Sequence, residues 1–581
     1  MRLTLTGVMA VAGPPAVLPA IGPYVQPTEE EWHGAASWSV TNRLVATPYF
    51  YWYDVYSGAH LLNADGTDAL TTHPASMTGF SYRSMAWHRQ QLLDMMEAGI
   101  DVVMPVYWGE PSQRVPGRPV AEQPWSFSGL PPLVAAREAL VAEGRQPPWI
   151  GMFYDTSTLQ FNQAGEQQDL TTDRGRQWFY ESIRDFYSLI PARHWAMIEG
   201  RPVVFLYSAS FAKAHDSSVF TYLGEAFARD FSGRRPYVVR EISWNAATDA
   251  VYAWGGALGL KNPGVASLGP GYDHSAVPGR SPLVVDREDG AFFERQWMAL
   301  LRRPSPLVMI ETWNEFHEGT DIAHSREYGR KYIELNRRYV DLFKAGYEPP
   351  RLVGPYTDER QVEVVLGATN LVRGLTAFDW ADGVTRSEVL DGREARVTVA
   401  TEHAVRYLYV RVDDSFKWSA DMEVVVVVDY FDRERGMMRV EYDGSDVSAP
   451  FLGAYTSSSA VAMDGRRAWR TAVFRLTGAR FLNGQNGGAD FRLSVGQAEV
   501  GIGRIQVIRE GLKAKAWRSG GGFEMQLYGV PGTTYDLEVS TDLSRWEERA
   551  RLRPAAVVSR HVESTGLDPT GQWYRVRRSG G

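Results

Sequence analysis

Between Val45 and Ile310 the chain repeats one pattern, a short apolar run rich in β-branched and aromatic residues followed by a longer amphipathic stretch. Strand-length apolar runs that alternate with helix-period segments are the mark of parallel βαβ units, which leave few architectures open. Eight runs qualify: Val45 to Tyr53, Ile100 to Tyr107, Trp149 to Tyr154, Pro202 to Tyr207, Tyr237 to Ile242, Ala250 to Trp254, Val265 to Leu268 and Pro306 to Ile310. Eight units predict an α/β fold of the (β/α)8 TIM barrel type. Helices are expected over Met85 to Ala98, Pro131 to Glu143, Gly175 to Leu189, Val219 to Phe231, Ala291 to Arg302 and Ser325 to Phe343. In the last of these Tyr328, Tyr332, Leu335, Tyr339 and Leu342 recur every three or four residues, the stripe of a face packed against a core.

Beyond Pro349-Pro350 the helical period stops and period-two runs replace it, including Val405 to Val412, Glu423 to Tyr430 and Trp469 to Leu476. A further change comes at Gly511, after which Gly520-Gly-Gly522 and Pro531-Gly532 mark turns. The barrel is therefore assigned to residues 25–350 and two all-β sandwich domains to residues 351–510 and 511–581. Residues 1–24 begin with one Arg, a short apolar middle and small residues at Ala10 and Ala12, which resembles a truncated secretion signal. A secreted, cell-surface or periplasmic bacterial protein is the expectation.

Composition removes several classes of function. With 61 basic and 69 acidic residues the net charge is -8, so no basic field is offered to nucleic acid. Cysteine is absent, which excludes disulfides, thiol nucleophiles and cysteine-held metals. The 11 histidines form no H-E-x-x-H pattern, so no metal or other cofactor is expected in the barrel, and a hard-cation site in a β domain stays open. No apolar run reaches the roughly 18 residues a membrane span needs.

The chemistry gathers in Glu311-Thr-Trp-Asn-Glu-Phe-His-Glu-Gly-Thr320, directly after the eighth predicted strand, where barrels place their active sites. Glu315 and Glu318 are three residues apart, so in one helical turn or a tight loop their side chains are neighbours. Two close carboxylates cannot both ionise cheaply, and one protonated beside one ionised is what glycosidic bond cleavage uses. A solvated helix N-terminus also collects glutamates, but it has no reason to carry Trp313, Asn314 and His317 with them. Other strand ends carry Trp52 and Asp54, Tyr107 and Trp108, Tyr154 and Asp155, Trp244 and Asn245, and Tyr272, Asp273 and His274. Flat rings that stack on sugar faces, with polar groups for the hydroxyls, suit an oligo- or polysaccharide substrate. With 19 Trp and 28 Tyr in the chain, any one of these rings can equally be core.

The run Trp313-Asn-Glu-Phe-His-Glu-Gly-Thr320, with Ser267-Leu-Gly-Pro-Gly-Tyr-Asp273 upstream, resembles glycoside hydrolase family 99 and the related family 71 over roughly Pro48 to Phe343. That resemblance implies a (β/α)8 endo-acting α-mannosidase or α-glucanase. It implies that Glu315 takes the proton of the sugar 2-hydroxyl, which then displaces the leaving group through a 1,2-anhydro intermediate. Glu318 would protonate the leaving oxygen and then activate water, giving retention of configuration. Two positions depart from the family pattern: Phe316 stands where Trp is usual, and Asp321-Ile-Ala323 replaces Gln-Ile-Glu. The segments from Trp469 to Phe491 are similar to β-sandwich domains appended to bacterial polysaccharide-degrading enzymes, and the last module, with Tyr535 to Asp542 and Trp546, resembles fibronectin-like domains of exported proteins. A non-catalytic glycan-binding barrel and a factor in cell-surface polysaccharide assembly are the competing readings.

Overall fold

The computed structural model describes residues 17–579 except 281–282, 351, 381, 403, 418–420, 447, 518–522 and 564–571; most of the leader-like segment lies outside the described residues. The chain divides into two compact units, Met1–Glu348 and Pro349–Gly581.

In the first unit the eight expected strands form: β1 (Leu44–Tyr49), β2 (Val102–Tyr107), β3 (Trp149–Ile150 continuing as Met152–Tyr154), β4 (Arg201–Leu206), β5 (Tyr237–Glu241), β6 (Ala250–Tyr252), β7 (Ala266–Leu268) and β8 (Leu307–Ile310). Parallel ladders join β1 through β6 in sequence order, and join β7 to β8 and β8 back to β1. Between β6 and β7 a single backbone bond runs from Val265 N to Val251 O at 2.8 Å. Most of these strands are buried along nearly their whole length, which is why they read as continuous apolar runs and not as alternations. A short strand at Ala196–Ile198 runs antiparallel to β4 and pairs in parallel with Ala36–Trp38.

The longer helices are α1 (Met85–Ala98), α2 (Leu130–Ala142), α3 (Asp173–Ser188), α4 (Ser218–Asp230), α5 (Ala291–Arg302) and α6 (Lys331–Lys344). Ser84 caps α1 by accepting the Trp87 N–H, and Gly99 ends it in the left-handed region at φ 82°. A side chain at Gly99 would also meet Val340 of α6 at 2.9 Å, so both the turn and the helix contact require glycine. The last helix starts at Lys331, not Ser325: residues 325–330 form a turn, closed by bonds in both directions between Ser325 and Gly329. Tyr332 and Tyr339 of its stripe are buried in the core.

The second unit is all β. Strands between Gln361 and Ile508 make a seven-stranded and a six-stranded antiparallel sheet, whose inner residues, such as Val364, Val426 and Val507 from one and Leu408, Val440 and Leu493 from the other, share one core. Six further strands from Gly511 to Arg578 form two three-stranded sheets. Val425, Val427 and Ile508 of the first part pack with Tyr528, Val530 and Val557 of the second. Among the described residues no helix is long and apolar enough to cross a membrane.

Candidate active site

The segment after β8 is a tight loop and not a helical turn. Thr312 donates its N–H to Thr320 O at 2.9 Å, its hydroxyl accepts the Glu315 N–H at 2.9 Å, and Thr320 N–H returns to Glu315 O at 3.3 Å. The loop so closed turns the Glu315 carboxyl inward, where the residue is 6 % exposed. Its Oε1 lies 2.7 Å from His317 Nδ1 and accepts the His317 backbone N–H at 3.1 Å. Burial pushes the Glu315 pKa up; the charge of His317 and its hydrogen bond pull it partly back, and the nearby Glu318 charge raises it again. Burial is the largest single influence on His317 and opposes its charge, but the charge and hydrogen bond of Glu315, the His60 backbone and the Glu318 charge together leave the imidazole pKa raised.

Glu318 faces outward with about a quarter of its side chain exposed, and Arg280 Nη1 donates to it at 2.5 Å. Arg280 also approaches the Tyr272 hydroxyl at 3.5 Å. Arg287 holds the Glu318 turn from behind, donating to Gly319 O and Asp321 O at 2.9 Å each and pairing with the Asp321 carboxylate at 3.0 Å. Its guanidinium lies over the rings of Tyr328 and Tyr332. Asp321, which opens the Asp321-Ile-Ala323 segment, is thus a buried buttress that also accepts the Thr72 hydroxyl at 2.5 Å.

A wall of rings stands beside this loop. Trp52 stacks on His60 with centroids 4.5 Å apart and planes 2° from parallel. It meets Trp108 and His317 edge-on at 5.2 and 5.7 Å, and Tyr53 stacks on His317 at 5.6 Å. Trp108 Nε1 donates to Asp155 Oδ2 at 2.6 Å. Burial and the neighbouring His317 charge lower the His60 pKa to about 4, so this ring is neutral at neutral pH. At the end of β8, Glu311 is buried against Ser267 Oγ and Gly255 N, and burial raises its pKa to about 7.

Several residues expected to contact substrate have other duties. Tyr107 packs on Phe127 and on Phe186 of α3, Tyr154 on Phe179 of α3, and Trp244 on Phe179 and on Phe220 of α4, so all three lie on the helix side of the strands. Trp313 is fully buried and donates to Gln91 Oε1 at 2.8 Å. Asn314 exchanges 2.8 Å bonds with both backbone groups of Phe50 and so pins β8 to β1. Asp54 braces its own loop through Ser57 Oγ at 2.6 Å. His274 holds its loop together through the Tyr272 hydroxyl at 2.9 Å and Leu283 N at 3.1 Å, while Asp273 accepts from Ser275 and donates its N–H to Glu318 O at 2.9 Å. Asn245 is exposed, with its N–H on His215 Nε2 at 3.1 Å. Of the expected set, Trp52, Trp108, Asp155, Tyr272, Glu315, His317 and Glu318 gather near one another. To them the structure adds His60, Tyr207, Arg280 and Glu311. Tyr207, the residue after β4, feels the charges of Asp155, Glu318, Glu311 and Glu241, which places it among the carboxylates. Among the described residues no group of three or more His, Asp or Glu is placed to hold a metal ion.

Residues 42–349, more than half of the chain, match the family described as Domain of unknown function (DUF5010), and the chain belongs to that family. No curated protein matches the sequence. Among solved structures it is similar to the GH99 endo-alpha-mannosidase of Bacteroides thetaiotaomicron, at 17 % identity and a TM-score of 0.41 over 53 % of this chain and 99 % of that one. It is also similar to the isomalto-dextranase of Arthrobacter globiformis, at 12 % identity and TM-score 0.26 over 85 % and 99 % of the two chains. A third likeness is to an alpha-L-fucosidase from a Vibrio species, at 9 % identity and TM-score 0.35 over 83 % and 98 %.

Proposed function

We propose that the chain is a retaining glycoside hydrolase of α-linked glycans, built on a (β/α)8 barrel followed by β-sandwich domains. The observation that carries this reading is the placement of Glu315 and Glu318 after the eighth parallel strand, one carboxyl buried on an imidazole beneath a wall of rings and the other at the surface three residues on. Glu315 is suited to receive a proton, because burial raises its affinity for one while His317 keeps an ionised form accessible. It takes the proton of the sugar 2-hydroxyl as that oxygen closes on the anomeric carbon. Glu318 gives its proton to the departing glycosidic oxygen. Water then opens the three-membered ring: Glu318 takes the proton from water, and Glu315 returns the first proton to the 2-oxygen. Two inversions at one carbon give net retention without a carboxylate nucleophile, a departure from the usual two-carboxylate scheme. The leader-like start and the appended β domains support action outside the cell.

Proton NMR of the first product formed from α-mannan or α-glucan oligosaccharides tests the route. Retained configuration, with cleavage abolished when the 2-hydroxyl of the reacting sugar is methylated, is the expected result; inversion, or cleavage of the methylated substrate, defeats it. The Arg280–Glu318 ion pair favours a second reading, a glycan-binding protein whose surface carboxylate is held by a cation instead of donating protons. Binding of these oligosaccharides with no product on long incubation selects that alternative.

A further inference from the structure

The loops that follow β3 and β4 carry a line of rings whose inner members, Tyr207 and Phe211, pack against the core and whose outer member, Phe161, stands outside it. Tyr207 lies parallel-displaced against Phe211, with centroids 6.0 Å apart and planes at 26°, and Phe211 meets Phe161 at 6.0 Å. Tyr207 is backed by Trp254 at 5.4 Å and by Phe153 at 6.2 Å, so its position is fixed from the strand side. At the far end Phe161 is 67 % exposed, a large apolar surface left in water.

That exposure is not the consequence of a loose loop. Phe161 N–H closes on Ser157 O at 2.8 Å, and the Asn162 amide donates to Thr158 O and Glu166 O at 3.0 and 2.9 Å. The two loops are tied to each other by Lys213 N to Gln168 O and Leu170 N to Ala214 O, both 2.9 Å. A ring held in water by an ordered backbone loses little conformational freedom on contact, which is the property a stacking platform needs. In the turn between Tyr207 and Phe211 the hydroxyls of Ser208 and Ser210 lie 2.8 Å apart, with Ser243 Oγ 3.5 Å from Ser208. Flat apolar faces beside a row of hydroxyls match the C–H faces and the polar rim of a sugar chain. The inner end sits in the field of Asp155, Glu241, Glu311 and Glu318, which repels a uronate or sulfated glycan.

We infer that Tyr207, Phe211 and Phe161 form an extended binding track for a neutral polysaccharide, leading from the carboxylate site toward the exposed end of the loop after β3. This rests on the glycan reading of the site and deepens it: the substrate reaches beyond the sugar being cleaved, so a polymer is preferred to a short oligosaccharide.

The test uses full-length protein carrying Glu318→Gln, with and without Phe161→Ala or Phe211→Ala, in native affinity electrophoresis through gels containing yeast α-mannan, dextran or polygalacturonate. Retardation by a neutral polymer, weakened roughly 3- to 10-fold by either ring substitution, is expected. Polygalacturonate should not retard the protein. Retardation that ignores both substitutions, retardation by polygalacturonate alone, or none by either neutral polymer overturns the inference. Thermal melting of each variant separates lost binding from lost folding, and Phe161→Tyr, which keeps the ring, should restore retardation. Ring-dependent retardation in a protein whose unsubstituted form releases no product leaves the track standing and removes only the hydrolase reading. Turnover with ring-independent retardation does the reverse.

Discussion

His317 Nδ1 lies 2.7 Å from Glu315 Oε1, and the same oxygen accepts the His317 backbone N–H at 3.1 Å, so one residue holds the carboxylate by two bonds and, when protonated, by a charge. Burial raises the Glu315 pKa and the imidazolium lowers it, and the balance between these opposing effects sets the pH at which Glu315 ionises. His317→Gln keeps a donor but removes the charge. Turnover should fall by about 100-fold at pH 6, and the acidic limb of kcat/KM should move to higher pH, because Glu315 then needs a higher pH to ionise. A pH–rate profile with an unmoved acidic limb would show that His317 does not act through Glu315.

Arg287 reaches the Glu318 turn through two backbone carbonyls and one carboxylate, geometry that a forked guanidinium supplies and an ammonium cannot. Arg287→Met strands a buried Asp321 and should cost about 3–5 kcal/mol in urea unfolding of the full chain. Arg287→Lys should recover part of that stability while kcat remains about 100-fold down, since a displaced Glu318 is misaligned whether or not the local charge is kept.

Among the described residues the buried Tyr107 hydroxyl has no hydrogen-bond partner, and it is wedged against Gly109 on the helix side of β2. Tyr107→Phe removes an unsatisfied polar atom, so stability should hold or rise by about 1 kcal/mol and kinetics should not change. Trp108→Phe, one residue on, removes the bond to Asp155 and should impair activity on every substrate. Melting curves and rates for the pair check both statements.

Glu311 links stability to pH with a definite sign. Burial raises its pKa from 4.5 to about 7, so between those values the folded protein keeps a proton that the unfolded chain has released. The stability from this group is full below about pH 4.5, falls as pH rises to about 7, and is level above that. Relative to Glu311→Gln, the wild type should therefore lose roughly 3 kcal/mol across that window. Denaturation of both proteins at pH 4.5, 6 and 8 measures the difference, and parallel curves would refute it.

Strand parity explains what was legible in the sequence and what was not. Most of the eight strands stand out because both of their faces are buried, which makes them continuous apolar runs between polar helices. The same property hides which way each ring points. Tyr107 and Trp108, Tyr154 and Asp155, and Tyr51 and Trp52 are sequence neighbours that face opposite sides of the sheet, the first of each toward helices or the Ser126 carbonyl and the second toward the site. Period-two alternation carried past the last ladder residue separates them, and it also selects Tyr207 and Glu241. His60 and Arg280 lie on long loops where no period applies; their placement depends on the Trp52 stack and the Glu318 ion pair. Asn314 had the polarity of a substrate ligand, but the unpaired backbone of Phe50 at the end of β1 had first claim on it.

The most direct measurement is release of reducing ends from a panel of α-mannans and α-glucans by the wild type, Glu315→Gln and Glu318→Gln, with folding confirmed by melting. The account predicts turnover of at least one polymer by the wild type and a loss of at least roughly 1,000-fold in each variant with unchanged melting. Undiminished turnover in either variant, or none by the wild type on any polymer, would contradict it.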